Sequence, residues 1–388
     1  LGTGIIYSGS MEKIRICQMI DRPVLGGGQT ALLLLAENLD PQRFEVFVCT
    51  APEGPLVDEI IKRGFSHIPV SLTKTLSLRT VNQVRAALEK NKIQILHTHG
   101  GIAGIYGRWA ARRCGTPVIV HTLHGIHYLH YRNPLLRGLY ILQERILSRF
   151  SDGLILVSQA DLSRAKKHRL APEDKMFCIP NGIDVKSEKE AEEWQRKSHE
   201  FGSERGQPVI GTVARLHRQK GILYLVKAAG PVLSAFPGAK IVVVGDGPLS
   251  RKLRKTARKM GLEGKFLFLG ARKDAASLMP LFDIFVLPSL WEGLPFVLVE
   301  AAALGKPIIA TAVDGITEII EDGKTGVLVP SRDPQALADA IISLLRDKDR
   351  AKRLAERARA VIPPRFPLRR MVEQTQNLYL ELYGRKFL

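Results

Sequence analysis

The chain has 388 residues, 45% of them hydrophobic, and a formal charge of +19, enough length and apolar content for two ordinary cores. No apolar run approaches the ~18 residues of a membrane-spanning helix, and Cys17, Cys49, Cys114 and Cys178 lack metal-ligand spacing, so they read as reduced thiols of a cytosolic protein. The basic excess carries no aromatic interleaving or finger spacing, which makes nucleic acid the partner it fits least.

Leu1 to Ser10 read as an upstream extension without a secretory pattern, and Met11-Glu12-Lys13 as the natural start. A strand follows over 14–20, then a helix over 30–39 so apolar that it must be buried. Between them Gly26-Gly27-Gly28-Gln29 offers close backbone approach and a helix N-terminus to a phosphate or polar group, although any tight strand-to-helix turn uses glycine. Neither the dinucleotide spacing G-x-G-x-x-G nor a P-loop G-K-[ST] is present. Strands over 45–50 and 95–97 and helices over 55–64, 81–90 and 103–114 keep the alternation going.

Six histidines crowd the next stretch: His97, His99, His121, His124, His127 and His130. Gly125 interrupts any helix there, and the spacing does not put the rings on one face, so a polar cleft wall is expected and no metal site. His124, directly before Gly125 at a strand end, is best placed to hydrogen-bond a sugar. Between Ile61 and Phe150 fourteen Lys or Arg face only Glu89 and Glu144, a surface for lipid headgroups or phosphorylated substrates. The basic-aromatic run Tyr128 to Arg132 and the helix over 135–149, with Arg137, Arg145 and Arg149, fit two readings. One is docking on an anionic membrane; the other is ordinary packing inside the domain.

Strands over 118–121, 153–157 and 176–179 complete a first parallel sheet. The polar, charged run over 187–206 reads as a helix plus linker. The rhythm then restarts, with strands over 209–214, 240–244, 265–269 and 327–329 and helices over 223–236 and 249–260. One long helix is expected over 334–362 and a last one over 368–383, split by Pro363-Pro364. Two doubly wound α/β domains with a ligand cleft at the strand ends follow.

Arg215 ends a strand and Lys220 sits at the next turn, two cations suited to a diphosphate, Arg as a fork and Lys as a point charge. After a strand over 284–289, Glu292 lies in a loop whose turn is marked by Gly293 and Pro295, and Glu300 lies about one turn inside the helix that follows. A carboxylate aimed at phosphate would be repelled, whereas one aimed at a vicinal diol makes two charge-assisted hydrogen bonds. The combination points to a sugar, a ribose and a diphosphate.

These motifs in order resemble the retaining glycosyltransferases of family 4, of GT-B fold: G-G-G-Q at 26–29, H-T-L-H-G at 121–125, N-G-I-D at 181–184, A-R-L-H-R-Q-K-G at 214–221, V-V-V-G-D-G-P at 242–248, and E-G-L-P-F-V-L-V-E from Glu292 to Glu300. The resemblance implies that Arg215 and Lys220 hold the donor pyrophosphate with backbone amides around Leu294, Pro295, Phe296, Val297 and Leu298. It implies that Glu300 binds the ribose, that Glu292 and His124 contact the donor sugar, and that Gly27 and Gly28 line the junction. Gln29, His99 and His127 are expected on the acceptor side. Domains of 1–187 and 188–367, with a returning helix over 368–388, are implied, as is transfer without cofactor or metal.

Two departures from the family pattern stand out: Asp314-Gly315-Ile316-Thr317-Glu318 replaces G-G-x-P-E, and Pro295-Phe296 replaces a glycine that many members carry. The expected activity is retaining transfer of a hexose, UDP-linked, to a lipid-linked or oligosaccharide acceptor on the cytoplasmic face of a membrane. An epimerase, a glycan phosphorylase or a non-catalytic basic binding module are the alternatives.

Overall fold

The computed structural model describes residues 12–73, 75–184, 206–272 and 274–387. The expected extension over 1–10 and almost all of the polar stretch over 187–206 lie outside the described residues. Two wholly parallel sheets form the scaffold. The first has seven strands: β1 Ile14–Ile20, β2 Phe44–Thr50, β3 Ser66–Pro69, β4 Ile95–His99, β5 Val118–Leu123, β6 Gly153–Leu156 and β7 Met176–Cys178, in the order β3-β2-β1-β4-β5-β6-β7. The second has six: β8 Val209–Val213, β9 Lys240–Val244, β10 Phe266–Gly270, β11 Ile284–Leu287, β12 Ile308–Thr311 and β13 Val327–Val329, in the order β10-β9-β8-β11-β12-β13. Near-continuous apolar strands such as Ile284-Phe285-Val286-Leu287 are what a sheet covered on both faces requires.

Chain order reverses between β1 and β4 in one sheet and between β8 and β11 in the other. Neighbouring crossovers leave to opposite faces there, opening a crevice at the carboxyl ends of the strands. The loops that emerge at these two points carry Gly26–Gln29 and His99 in the first lobe, and Arg215–Lys220 and Glu292 in the second.

The last helix, Leu368–Phe387, lies on the first sheet. Met371, Val372, Thr375, Leu378, Tyr379 and Leu382 make its buried stripe, at helical spacing, and pack with Ile16, Ile95, Val118 and Val120. The chain crosses back where the Ile183 N–H donates to Phe366 O and the Leu368 N–H donates to Ile183 O, both at 3.0 Å. A Cβ on Gly182 would lie 2.5 Å from Pro367 O, so the N-G-I-D motif makes the crossing point.

One expectation is corrected, and two elements come without one. The helix expected over 334–362 is two, Pro334–Arg346 and Lys348–Val361, because the Asp347 side chain accepts the Arg350 N–H at 2.8 Å and caps a new start. The short strand β3 and the helix Gln159–Lys167 were not anticipated. The first alternates too briefly to register; the second is mostly polar, and only its cap, Ser158 Oγ accepting the Asp161 N–H at 3.1 Å, leaves a trace in the sequence.

Candidate active site

In the second lobe, the loop after β8 folds back onto the end of β11. Gly221 holds φ +61°, and a Cβ there would lie 1.9 Å from Pro288 O, so only glycine permits this closure. Lys220 Nζ consequently meets Glu292 Oε1 at 2.5 Å. The same oxygen accepts from Ser289 Oγ at 2.6 Å, and Oε2 accepts from Gln219 Nε2 at 3.2 Å. Glu292 is 5% exposed, so this buried carboxylate is fully partnered by its own lobe. Arg215 stays exposed, and its charge is felt by Asp21 beyond β1 and by His127 across the cleft. Lys220 acts on the same His127.

The helix Phe296–Ala303 starts at Pro295 with no side-chain cap, which leaves its first amides open to an anion. Phe296 and Leu298 bury their side chains in the core and can offer only backbone. Leu294 O already accepts from Asn181 Nδ2 at 3.1 Å. Glu300 differs from Glu292: no described residue bonds its carboxylate, and burial alone raises its pKa. A carboxylate left unpaired in such a place is suited to a ligand's hydroxyls.

The first lobe supplies the opposite wall. A Cβ on Gly28 would touch the His124 ring at 3.3 Å, and one on Gly27 would reach Phe296 of the other lobe at 3.9 Å. Gln29 Nε2 donates to Arg22 O at 3.2 Å. His124 Nε2 and His99 Nδ1 are 3.0 Å apart, and His99 Nε2 meets Gln18 Oε1 at 2.8 Å. Gln18 Nε2 donates to Tyr379 Oη at 3.0 Å, and that hydroxyl bonds His97 Nδ1. The last helix therefore reaches the site through this chain.

The donors can be assigned. Gln18 presents its oxygen to His99, so His99 Nε2 carries a proton. Burial holds the pKa of His99 well below the usual imidazole range and that of His124 at about 4. Neutral His99 then has a bare Nδ1 that accepts from His124 Nε2, leaving His124 Nδ1 as an acceptor; it is buried without a partner. His127 is neutral as well, lowered to about 4 by burial and then by Lys220, and its Nδ1 accepts from Trp291 Nε1 at 3.0 Å. The other rings are held by protein: His121 Nδ1 lies 2.8 Å from Thr98 Oγ1, and His97 Nε2 2.7 Å from Thr122 Oγ1.

One feature escaped the sequence: the Asp314–Glu318 segment clamps the lobes together. Glu318 accepts the N–H groups of Gln159 at 3.0 Å and Ala160 at 2.6 Å, capping from the second lobe a helix of the first. Asp314 pairs with Arg164 of that helix and with His130 at 3.3 Å, and accepts the Glu292 N–H at 3.0 Å. A Cβ on Gly293 would fall 2.8 Å from the Gly125 nitrogen, so backbone meets backbone beside His124.

Asp161 lies beneath this clamp, 1% exposed. Burial, with the Asp314 carboxylate second, pushes its pKa up to about 7. The raised value means the folded state binds this proton more tightly than the unfolded chain. The resulting penalty is absent below the unfolded value, grows as pH rises, and is complete above about 7. Asp161→Asn is expected to stabilise the protein at pH 8 by on the order of 4 kcal/mol and to give no such gain at pH 4, read as melting temperature against pH.

The family model "Glycosyltransferase Family 4" matches residues 25–187 and "Glycosyl transferases group 1" matches residues 194–361. The chain is 29% identical over 383 residues, 97% of it and 99% of the relative, to UDP-Gal:alpha-D-GlcNAc-diphosphoundecaprenol alpha-1,3-galactosyltransferase of Escherichia coli. It is 30% identical over 355 residues, 87% of it and 89% of the relative, to phosphatidyl-myo-inositol mannosyltransferase of Mycobacterium leprae. Among solved structures, HepE of Anabaena in complex with UDP and glucose superposes with a TM-score of 0.82 at 22% identity, covering 95% of this chain and 100% of that one, a likeness of fold. With both lobes matched in order and relatives aligned along most of their length, the chain belongs to glycosyltransferase family 4 and is a glycosyltransferase of GT-B fold.

Proposed function

We propose that the protein transfers a hexose from a UDP-linked donor to a hydroxyl of a lipid-linked glycan, retaining anomeric configuration and using no metal ion, in envelope or exopolysaccharide assembly. The observation that carries this reading is Glu300, a half-buried carboxylate without a partner among the described residues, on a helix whose start is uncapped and in the lobe that also carries the cations Arg215 and Lys220. Glu300 takes the ribose diol; the Phe296 and Val297 amides, Arg215 and Lys220 take the diphosphate. Lys220 has three N–H donors, so it can keep Glu292 and still reach a phosphate oxygen. The E. coli relative, named for a UDP-galactose donor and a diphosphoundecaprenol acceptor, supports the choice of both substrates.

The sugar C1–O bond to the β-phosphate breaks, and its electron pair leaves with UDP. The acceptor oxygen bonds C1 from the same face, and its proton passes to the departing phosphate oxygen. Arg215, Lys220 and the helix amides stabilise the growing charge, while His124, through its bare Nδ1, accepts from a sugar hydroxyl. Purified protein, a UDP-hexose and a lipid-diphosphate acceptor are expected to give an α-linked product from an α-linked donor, at a rate EDTA leaves unchanged. A β-linkage by NMR, or loss of turnover in EDTA, contradicts the mechanism.

A cytoplasmic, membrane-peripheral position completes the proposal. The helix Pro134–Ser148 turns Leu135, Leu139, Leu142 and Ile146 outward at helical spacing, with Leu135 84% exposed, which favours docking over the packed alternative. Arg132, Arg137 and Arg149 flank this stripe, and each basic residue near an anionic surface contributes roughly 1 kcal/mol. Among the described residues no helix is long and apolar enough to cross a membrane. Leu139→Glu with Leu142→Glu is expected to weaken binding to phosphatidylglycerol vesicles by about 10–100-fold in co-sedimentation. Equal binding of wild type to neutral and anionic vesicles at low salt counts against docking.

A further inference from the structure

A cavity of about 560 Å³ lies against the 215–221 loop, and neither Glu292 nor Glu300 lines it. Its floor is apolar: Leu223, Tyr224 and Leu249 line it half-buried, and Ile222, Leu253 and Leu290 line it buried. Four cations line it, Arg218 from the loop, Lys252 from the helix Ser250–Lys259, Arg332 ahead of the helix Pro334–Arg346, and Arg132 from the opposite lobe. No Asp or Glu lines the cavity. Among the described residues, none of the four side chains has an ion pair or a hydrogen bond.

Four like charges around one hollow repel one another until an anion enters. His217 at the same wall reports the field: burial, then Arg215, Arg22 and Arg218, lowers its pKa. A small inorganic anion would leave the apolar floor wet. A phosphate carrying a hydrocarbon chain uses both parts. Arg132 lies two residues before the helix with the outward leucines, which connects the cavity to the surface assigned to the bilayer.

We infer that this cavity holds the diphosphate of the lipid-linked acceptor, with the first units of its hydrocarbon chain on Leu223, Tyr224 and Leu249. The inference rests on the reading that the acceptor is lipid-linked. The probe is farnesyl diphosphate, titrated calorimetrically into full-length protein saturated with UDP, so that the donor's diphosphate site is filled. Binding is expected to persist under UDP and to weaken at least ~10-fold in Lys252→Ala/Arg332→Ala, with affinity for UDP unchanged.

Displacement of the probe by UDP, or unchanged affinity in the double variant, overturns the assignment. Inorganic pyrophosphate binding as tightly reduces the cavity to an anion site without a lipid. A short-chain phosphatidylglycerol binding as tightly makes the occupant a bilayer phospholipid; either result overturns the acceptor assignment. Sugar transfer is assayed separately. Absent transfer with probe binding that the double variant weakens removes the catalytic reading alone, whereas transfer with an unchanged acceptor KM in that variant removes the cavity's role alone.

Discussion

Lys220→Ala is expected to lower kcat by about 10²–10³, the usual loss when one preorganised donor to a developing charge is removed. The ammonium has two duties. It bonds Glu292 at 2.5 Å, and in the proposed mechanism it meets the leaving diphosphate. Removing it strands a carboxylate that is 5% exposed, which costs roughly 3 kcal/mol of stability. The two effects separate in Lys220→Ala/Glu292→Gln, where the stranded charge is gone: stability returns and kcat stays low. Glu300→Gln is expected to raise the donor KM more than it lowers kcat, because a ribose contact serves ground state and transition state alike. Steady-state kinetics with urea denaturation of each variant reads all three outcomes. A Lys220→Ala enzyme with wild-type kcat would remove Lys220 from the mechanism.

Arg108→Ala is expected to destabilise the first lobe by about 3–5 kcal/mol, the range for breaking a buried pair by deleting one partner. Arg108 is 1% exposed, and its guanidinium donates to Glu144 Oε1 at 2.6 Å, to Glu144 Oε2 at 3.0 Å and to Gly104 O at 2.8 Å. Alanine leaves the Glu144 carboxylate buried, uncompensated and beside a void. Arg108→Met with Glu144→Leu fills the volume without charge and is expected to recover most of the loss. Glu144 is on the inner side of the helix whose leucines face outward, so the pair pins that helix to Gly101–Cys114. Vesicle binding should weaken along with stability in Arg108→Ala and recover in the double variant. Urea denaturation and co-sedimentation of the three proteins check this; equal stability of Arg108→Ala and wild type would contradict it.

The scaffold was readable because parallel strands buried on both faces are nearly pure apolar runs, and β1 and β9 fall on the residues their pattern predicts. The loops at the two reversals of strand order were readable for the same reason, since each follows such a run directly. The partner of each side chain was not. Lys220 was assigned to a phosphate alone, whereas the fold also gives it Glu292, 72 residues away in sequence. The histidines were read as a cleft wall, but the chain through Gln18 to Tyr379 joins residues 361 apart, which no local pattern encodes. The clamp was hidden in the same way: Glu318 caps a helix 158 residues earlier, and the Asp314 segment was noticed only as a departure from the family pattern. The outward face of the helix Pro134–Ser148 needed coordinates, because an amphipathic stripe reads alike whether it meets a core or a bilayer.

The most direct test of the account is the structure of the complex with UDP. Both phosphates of the diphosphate should lie within about 3 Å of donors from Arg215, Lys220 and the amides of Phe296 and Val297, and both ribose hydroxyls should point at Glu300. A diphosphate bound away from Arg215 and Lys220, or a ribose that leaves the Glu300 carboxylate without a partner, would contradict it.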